Sequence, residues 1–192
     1  MDPHAWPFVA MWVAWAAIWA WLAPDVKATA RHESLASRVA HIAPLALAVL
    51  LLGWPGRLLG PLDDPVWPRG LPGTAIGAAL TLAGLACSVA ARVRLGRNWS
   101  GTVTLKQDHQ LVTDGPYALV RHPIYTGLIV GLLATAVAEA TVTGVIGAAL
   151  VIFGIYLKAS SEERFLRVEL GPDAYDSYRR RVPMLVPYLK LG

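Results

Sequence analysis

The chain has 192 residues, 55% of them hydrophobic and 16% charged, with a mean hydropathy of +0.47. That composition excludes a disordered chain and is too apolar for an ordinary soluble domain. Apolar runs near the roughly 20 residues needed to cross a bilayer point to an integral membrane protein.

The single cysteine, Cys87, excludes an intrachain disulfide and a cysteine metal cluster. Trp6–Ala23 reads as a first span rather than a signal peptide, because Asp2 stands where a positive region is expected and the run carries five Trp. Those Trp fit a lipid-facing helix with interfacial anchors, and aromatic packing is preferred to a ligand cage. Asp25–Arg38 is a charged loop. Val39–Leu59 is the second span, with Pro44 and Trp54-Pro55-Gly56 predicting a kink or early exit. After a Pro/Asp loop at Gly60–Gly70, Leu71–Ala91 is the third span, where Gly73, Gly77, Ala83 and Gly84 allow close helix approach. Cys87 reads there as inert packing, and Arg92, Arg94 and Arg97 stop the span. The polar segment that follows, up to Arg121, is too long for a simple linker.

His122–Ala138 is the fourth span, with Gly127 and Gly131 on one face. Glu139–Thr141 is a tight turn into a fifth span from Val142 to about Leu157, which makes an antiparallel hairpin. Lys158–Leu170 continues that helix out of the membrane, Gly171-Pro172 breaks it, and Asp173–Arg181 is a short helix with Tyr175 and Tyr178 on one face. The expected fold is an all-α integral membrane protein with five transmembrane helices. Residues 1–97 hold the first three spans, and residues 98–192 form the functional core.

Charge sets the orientation. The first loop holds three Lys or Arg, the third loop five and the tail seven, leaving only Arg57 and Arg69 on the other side. The positive-inside bias puts the N-terminus outside and the C-terminal helices in the cytoplasm. The polar stretches His109–Gly127 and Glu162–Glu163 then share the cytoplasmic face. The basic residues flank spans, where they meet anionic head groups, so nucleic acid is not the expected partner.

The spans hold almost no ionisable residue in mid-membrane: Glu139 lies at the outer turn and His41 near a span end. With no inverted repeat, this argues against a transporter. Scattered His residues argue against a catalytic metal, and the absence of GxSxG, or of GxGxxG ahead of a helix, removes hydrolase and dinucleotide-binding readings. A helix starting near Pro123 would let His122 and Tyr125 face one pocket, where free N–H groups favour an anion. Each residue taken alone also fits an interfacial anchor. Glu162 and Glu163 project about 100° apart on a helix, so one is expected to face inward and the other water. The alternative is two solvated charges offset by Arg164 and Arg167.

Taken together, His109-Gln110-Leu111-Val112, Gly115-Pro116-Tyr117, Arg121-His122-Pro123-Ile124-Tyr125-Thr126-Gly127, a helical hairpin, Glu162-Glu163, and Gly171 followed by Tyr175 and Tyr178 form an ordered set. The set resembles the isoprenylcysteine carboxyl methyltransferase family and related phospholipid methyltransferases, over about Asn98 to Pro187. The resemblance implies a membrane methyltransferase using S-adenosyl-L-methionine at the cytoplasmic surface. It assigns cofactor binding to His109, Gln110, Leu111, Val112, Tyr117, His122, Pro123, Ile124, Tyr125 and Glu162, with Thr102 as a further polar contact. The candidate catalytic residues are Arg121, Lys158 and Glu162, and no metal is implied. Lys158 stands where the family usually has a substrate-side Arg, keeping the charge but losing the bidentate fork.

In that reading Glu162 pairs the cofactor's ammonium, His122 and nearby N–H groups hold its carboxylate, and Tyr125 lies beside the sulfonium. Catalysis would be mainly positioning and exclusion of water. An ionised carboxylate acceptor needs no base, which favours a lipophilic, lipid-modified carboxylate of the isoprenylcysteine type entering from the membrane lipids. The alternatives are a phospholipid amine or small thiol, with His109 or Glu163 as the only bases in view, or a non-catalytic scaffold oligomerising through its glycine faces.

Overall fold

The computed structural model describes residues 5–23, 29–32, 34–53, 60–99, 104–106 and 111–189. Among these, the protein is helical apart from one short ladder. The elements are α1 (Trp6–Leu22), β1 (Thr29–His32), α2 (Leu35–Gly53), α3 (Leu71–Leu95), β2 (Thr104–Lys106), α4 (Pro123–Glu139), α5 (Val142–Leu170) and α6 (Pro172–Arg181). Two helical segments, Leu71–Asn98 and Val142–Val168, are long and apolar enough to cross a membrane. The apolar parts of α1, α2 and α4 are shorter.

The antiparallel β1–β2 pair was not expected, because Asp25–Arg38 read as a loop. It joins the first and third polar segments, with Arg31 opposite Leu105 and a register shift beside it. Pro44 lies inside α2, which starts at Leu35. The arginines expected to end the third span do not do so at Arg92. α3 continues to Leu95, and Arg92 is buried. Its guanidinium donates to the carbonyls of Leu22, at 2.7 Å, and Gly96, at 2.8 Å, and sits over the Trp99 ring. Donation to carbonyls at two helix ends replaces the water the charge gives up. Cys87, read from sequence as packed, is exposed.

α3 packs most extensively against α4, and α2 against α5. The α3–α4 contact is close because glycines meet. A Cβ added at Gly84 would lie 2.5 Å from the Gly127 carbonyl oxygen and 2.8 Å from the Gly131 nitrogen. α1 lies across this pair. Trp15 donates to Ser88 Oγ at 2.8 Å and Trp12 to Thr135 Oγ1 at 3.2 Å, while Trp19 stacks on Trp15 and meets Trp99 edge-on. Three of the Trp read as lipid-facing therefore pack inward, where the N–H groups of Trp12 and Trp15 find buried hydroxyls. Trp6 and Trp21 remain exposed.

The α4–α5 turn has the expected form. Ala140 adopts the left-handed conformation, and Thr141 caps α5 by accepting from Gly144 N at 2.9 Å. Arg69 Nε donates to the Glu139 carbonyl at 2.8 Å, and Val66 N to that of Ala140 at 2.7 Å. This brace holds one end of the hairpin, and the opposite end carries the candidate site.

Candidate active site

α4 starts at Pro123, whose missing N–H is no loss at the first helical position. Just ahead of it, Arg121 N donates to the Pro183 carbonyl at 2.8 Å and His122 N to that of Met184 at 3.1 Å. One turn into α4, Thr126 Oγ1 donates to the Leu185 carbonyl at 2.6 Å. The segment after α6 thus lies as a strap along the start of α4. The strap lies beyond the stretches singled out from sequence. The apolar, proline-flanked run Val182-Pro183-Met184-Leu185, too apolar for a solvated tail, was its one available signal.

Opposite this wall stands α5. Tyr125 donates to Glu162 Oε1 at 2.5 Å, and His122 Nδ1 lies 3.6 Å from Glu162 Oε2. The His122 and Tyr125 rings stack at 5.5 Å, tilted by only 12°. Lys158 Nζ, one turn before Glu162, lies 5.4 Å from the centre of the Tyr125 ring, a cation–π geometry. His122, Tyr125, Lys158 and Glu162 therefore form one cluster; spacing had put His122 and Tyr125 on one face, and the resemblance had added Lys158 and Glu162.

Other expected site residues are packed among apolar neighbours. Tyr117 and Ile124 are buried with Ala91, against Val112, Trp99 and Leu128, and Pro123 is fully buried. Leu111 packs with Tyr175, Tyr178 and Val182 instead, so Leu111 and Val112 belong to different clusters. Tyr178 donates to the Tyr117 carbonyl at 2.6 Å, which ties α6 to this region. Burial raises the hydroxyl pKa of Tyr117 and Tyr175, and pushes that of Tyr178 up to about 12. Thr102, His109 and Gln110 lie outside the described residues.

The glutamate pair departs from the sequence expectation that one would face water. Glu163 is buried, with Arg121 Nε at 2.7 Å and His122 Nε2 at 3.3 Å from its Oε1. Glu162 is half-buried against Tyr125 and His122. Arg121, whose motif neighbours also fit an interfacial anchor, is itself buried and donates Nη1 to the carbonyls of Val182 and Arg179, at 2.5 and 3.1 Å. Packing of the Arg121 loop against α5 turns both carboxylates inward, because each finds a donor there.

The profile of the isoprenylcysteine carboxyl methyltransferase family matches residues 77–168, the stretch that carries most of α3, all of α4, Lys158 and both glutamates. Over that segment, just under half of its length, the chain is similar to that family. The family match ends before α6 and the strap. Among relatives, the protein-S-isoprenylcysteine O-methyltransferase of Schizosaccharomyces pombe is 34% identical over 101 residues, which are 52% of this chain and 43% of that protein. Protein-S-isoprenylcysteine O-methyltransferase B of Arabidopsis thaliana is 28% identical over 116 residues, 59% of this chain and 58% of the relative. The cobalt-zinc-cadmium resistance protein CzcN of Cupriavidus metallidurans is 32% identical over 169 residues, 84% of this chain and 66% of that protein. The chain spans about half the length of the curated methyltransferases it matches.

Proposed function

We propose that the chain is an integral membrane methyltransferase that uses S-adenosylmethionine and methylates a lipophilic acceptor, with a carboxylate of the isoprenylcysteine type as first choice. The observation that carries this reading is the cluster of Glu162, Tyr125, His122 and Lys158 on the family's own motif. Its donor set fits the cofactor's chemistry: a carboxylate for an ammonium, an imidazole for a carboxylate, and aromatic faces for a cation. When bound, the cofactor supplies an electrophilic methyl group on a sulfonium.

The chain's own residues then position and dehydrate. Tyr125 fixes the direction of the Glu162 carboxylate, and the His122 ring lies beside its other oxygen. Lys158 places a positive charge beside the Tyr125 ring, where it can draw an anionic acceptor without deprotonating it. The packed Tyr117, Pro123 and Ile124 keep water from one side of the cluster.

In this proposal α1 to α5 cross the membrane with the N-terminus outside, and residues 98–192 form the catalytic core braced by residues 1–97. Outward-facing Val13, Ile76, Leu82 and Phe153 support a lipid environment, since such side chains are costly in water. Exposed Arg179, Arg180, Arg181 and Tyr188, next to the strap, suit the cytoplasmic interface.

A second acceptor class, small thiols or phospholipid amines, is favoured by one feature. Lys158 is a point charge and lacks the fork that grips a carboxylate. A labelled-methyl assay offering a prenylcysteine, small thiols and extracted lipids side by side separates these, with transfer to the prenylcysteine expected to dominate. Calorimetry with S-adenosylhomocysteine tests the cofactor directly, and no heat of binding from folded protein overturns the proposal.

A further inference from the structure

Glu163 is a buried carboxylate that the proposed chemistry leaves unused. Its side chain is 9% exposed, and its Oε1 accepts from Arg121 Nε at 2.7 Å. A buried carboxylate is costly unless paired. Arg121 supplies the opposite charge, and its remaining donors reach the Arg179 and Val182 carbonyls. Ionised against that guanidinium, Glu163 can only accept hydrogen bonds. The His122 nitrogen 3.3 Å from the same oxygen, Nε2, must therefore carry a hydrogen.

That contact orients the ring. With Nε2 held by Glu163, Nδ1 faces Glu162 Oε2 at 3.6 Å, and the imidazole lies nearly parallel to Tyr125. Tyr125 in turn donates to Glu162 Oε1. The two adjacent glutamates sit at opposite nitrogens of one imidazole, one buried and one half-buried. We infer that Glu163 is a positioning residue: by holding the His122 hydrogen on Nε2 it keeps Nδ1 bare toward Glu162 Oε2, so that this oxygen stays open to a cofactor's ammonium while Tyr125 fixes Oε1. The inference rests on reading this cluster as the cofactor site.

Glu163→Gln tests it. The amide keeps an acceptor for Arg121 but adds N–H groups that can donate to Nε2, which releases His122 to carry its hydrogen on Nδ1, where it would donate to Glu162 Oε2 and compete with the cofactor's ammonium. Full-length protein with 15N-labelled histidine, in phosphatidylcholine nanodiscs, reports which nitrogen is protonated, and His122→Asn assigns the signal. The wild type is expected to show hydrogen on Nε2. E163Q is expected to shift toward Nδ1 and to bind S-adenosylhomocysteine about tenfold more weakly, the loss of roughly one hydrogen bond to a charged group.

An unchanged tautomer and unchanged affinity in E163Q overturn the inference. So does a wild-type His122 with a bare Nε2, a measurement that needs no variant to fold. If the wild type binds no S-adenosylhomocysteine, the cofactor reading fails, while the tautomer result still judges whether Glu163 holds His122.

Discussion

At the residue scale, the two adjacent glutamates have different roles. Glu162 has one oxygen bonded to Tyr125 and the other 3.6 Å from His122, and it is only half-buried, so removing it strands no deep charge. Glu162→Ala is expected to weaken S-adenosylhomocysteine binding by more than about tenfold while leaving the melting temperature nearly unchanged. Glu163→Ala leaves Arg121 buried without its anion and should destabilise the protein by about 3–5 kcal/mol, read by denaturation in detergent. If Lys158 faces the acceptor, Lys158→Arg should raise the rate on a prenylcysteine carboxylate by restoring a bidentate grip, measured as kcat/KM. The three-residue spacing of His122 and Tyr125 made their shared face legible in the sequence. The orientation of the glutamates was not, because it depends on Arg121, which reaches α5 only after the loop before α4 has packed.

At the element scale, the α3–α4 seam is set by glycine. Gly84, Gly127 and Gly131 meet backbone to backbone, so Gly84→Ala forces the helices apart and should cost about 1–3 kcal/mol. Gly73, on the same helix, has nothing within 4 Å of an added Cβ. Gly73→Ala should therefore be neutral, or stabilising by up to about 1 kcal/mol through helix propensity. Thermal unfolding of the two variants in one detergent checks the contrast, and equal losses would remove the seam from the explanation. The small-residue pattern announced this seam. The Trp run announced a helix, but not that Trp12, Trp15 and Trp19 face inward. Lipid and a helix surface are both apolar, and only the hydroxyls of Ser88 and Thr135 make the inward face the better one for an indole N–H.

At the scale of the whole molecule, α6 and the strap close the structure around the site from beyond the family's matched segment. Tyr178 bonds the Tyr117 carbonyl from within the cluster it forms with Tyr175 and Val182. Its hydroxyl ionises at 10.0 when free and only near about 12 in the fold. The stabilisation this represents is complete below pH 10 and is lost as pH rises toward 12, because the unfolded chain gives up the proton first. Tyr117 and Tyr175 shift in the same direction. Unfolding followed across that interval should show falling stability, with a shallower fall in Tyr178→Phe.

The sequence by itself determined the helical class, the α4–α5 hairpin, the break at Gly171-Pro172 and the resemblance to the family, because apolar runs, glycine and proline act locally and motif order survives without coordinates. Spacing also marked His122 and Tyr125, and motif order marked Lys158 and Glu162; the four come together once the hairpin forms. Only the tertiary structure decided the β1–β2 pair, the burial of Arg92 and Arg121, the inward turn of both glutamates and the strap of Val182–Leu185. Each of these depends on a hydrogen bond or ion pair between segments distant in sequence, and such a partner exists only after the helices have packed.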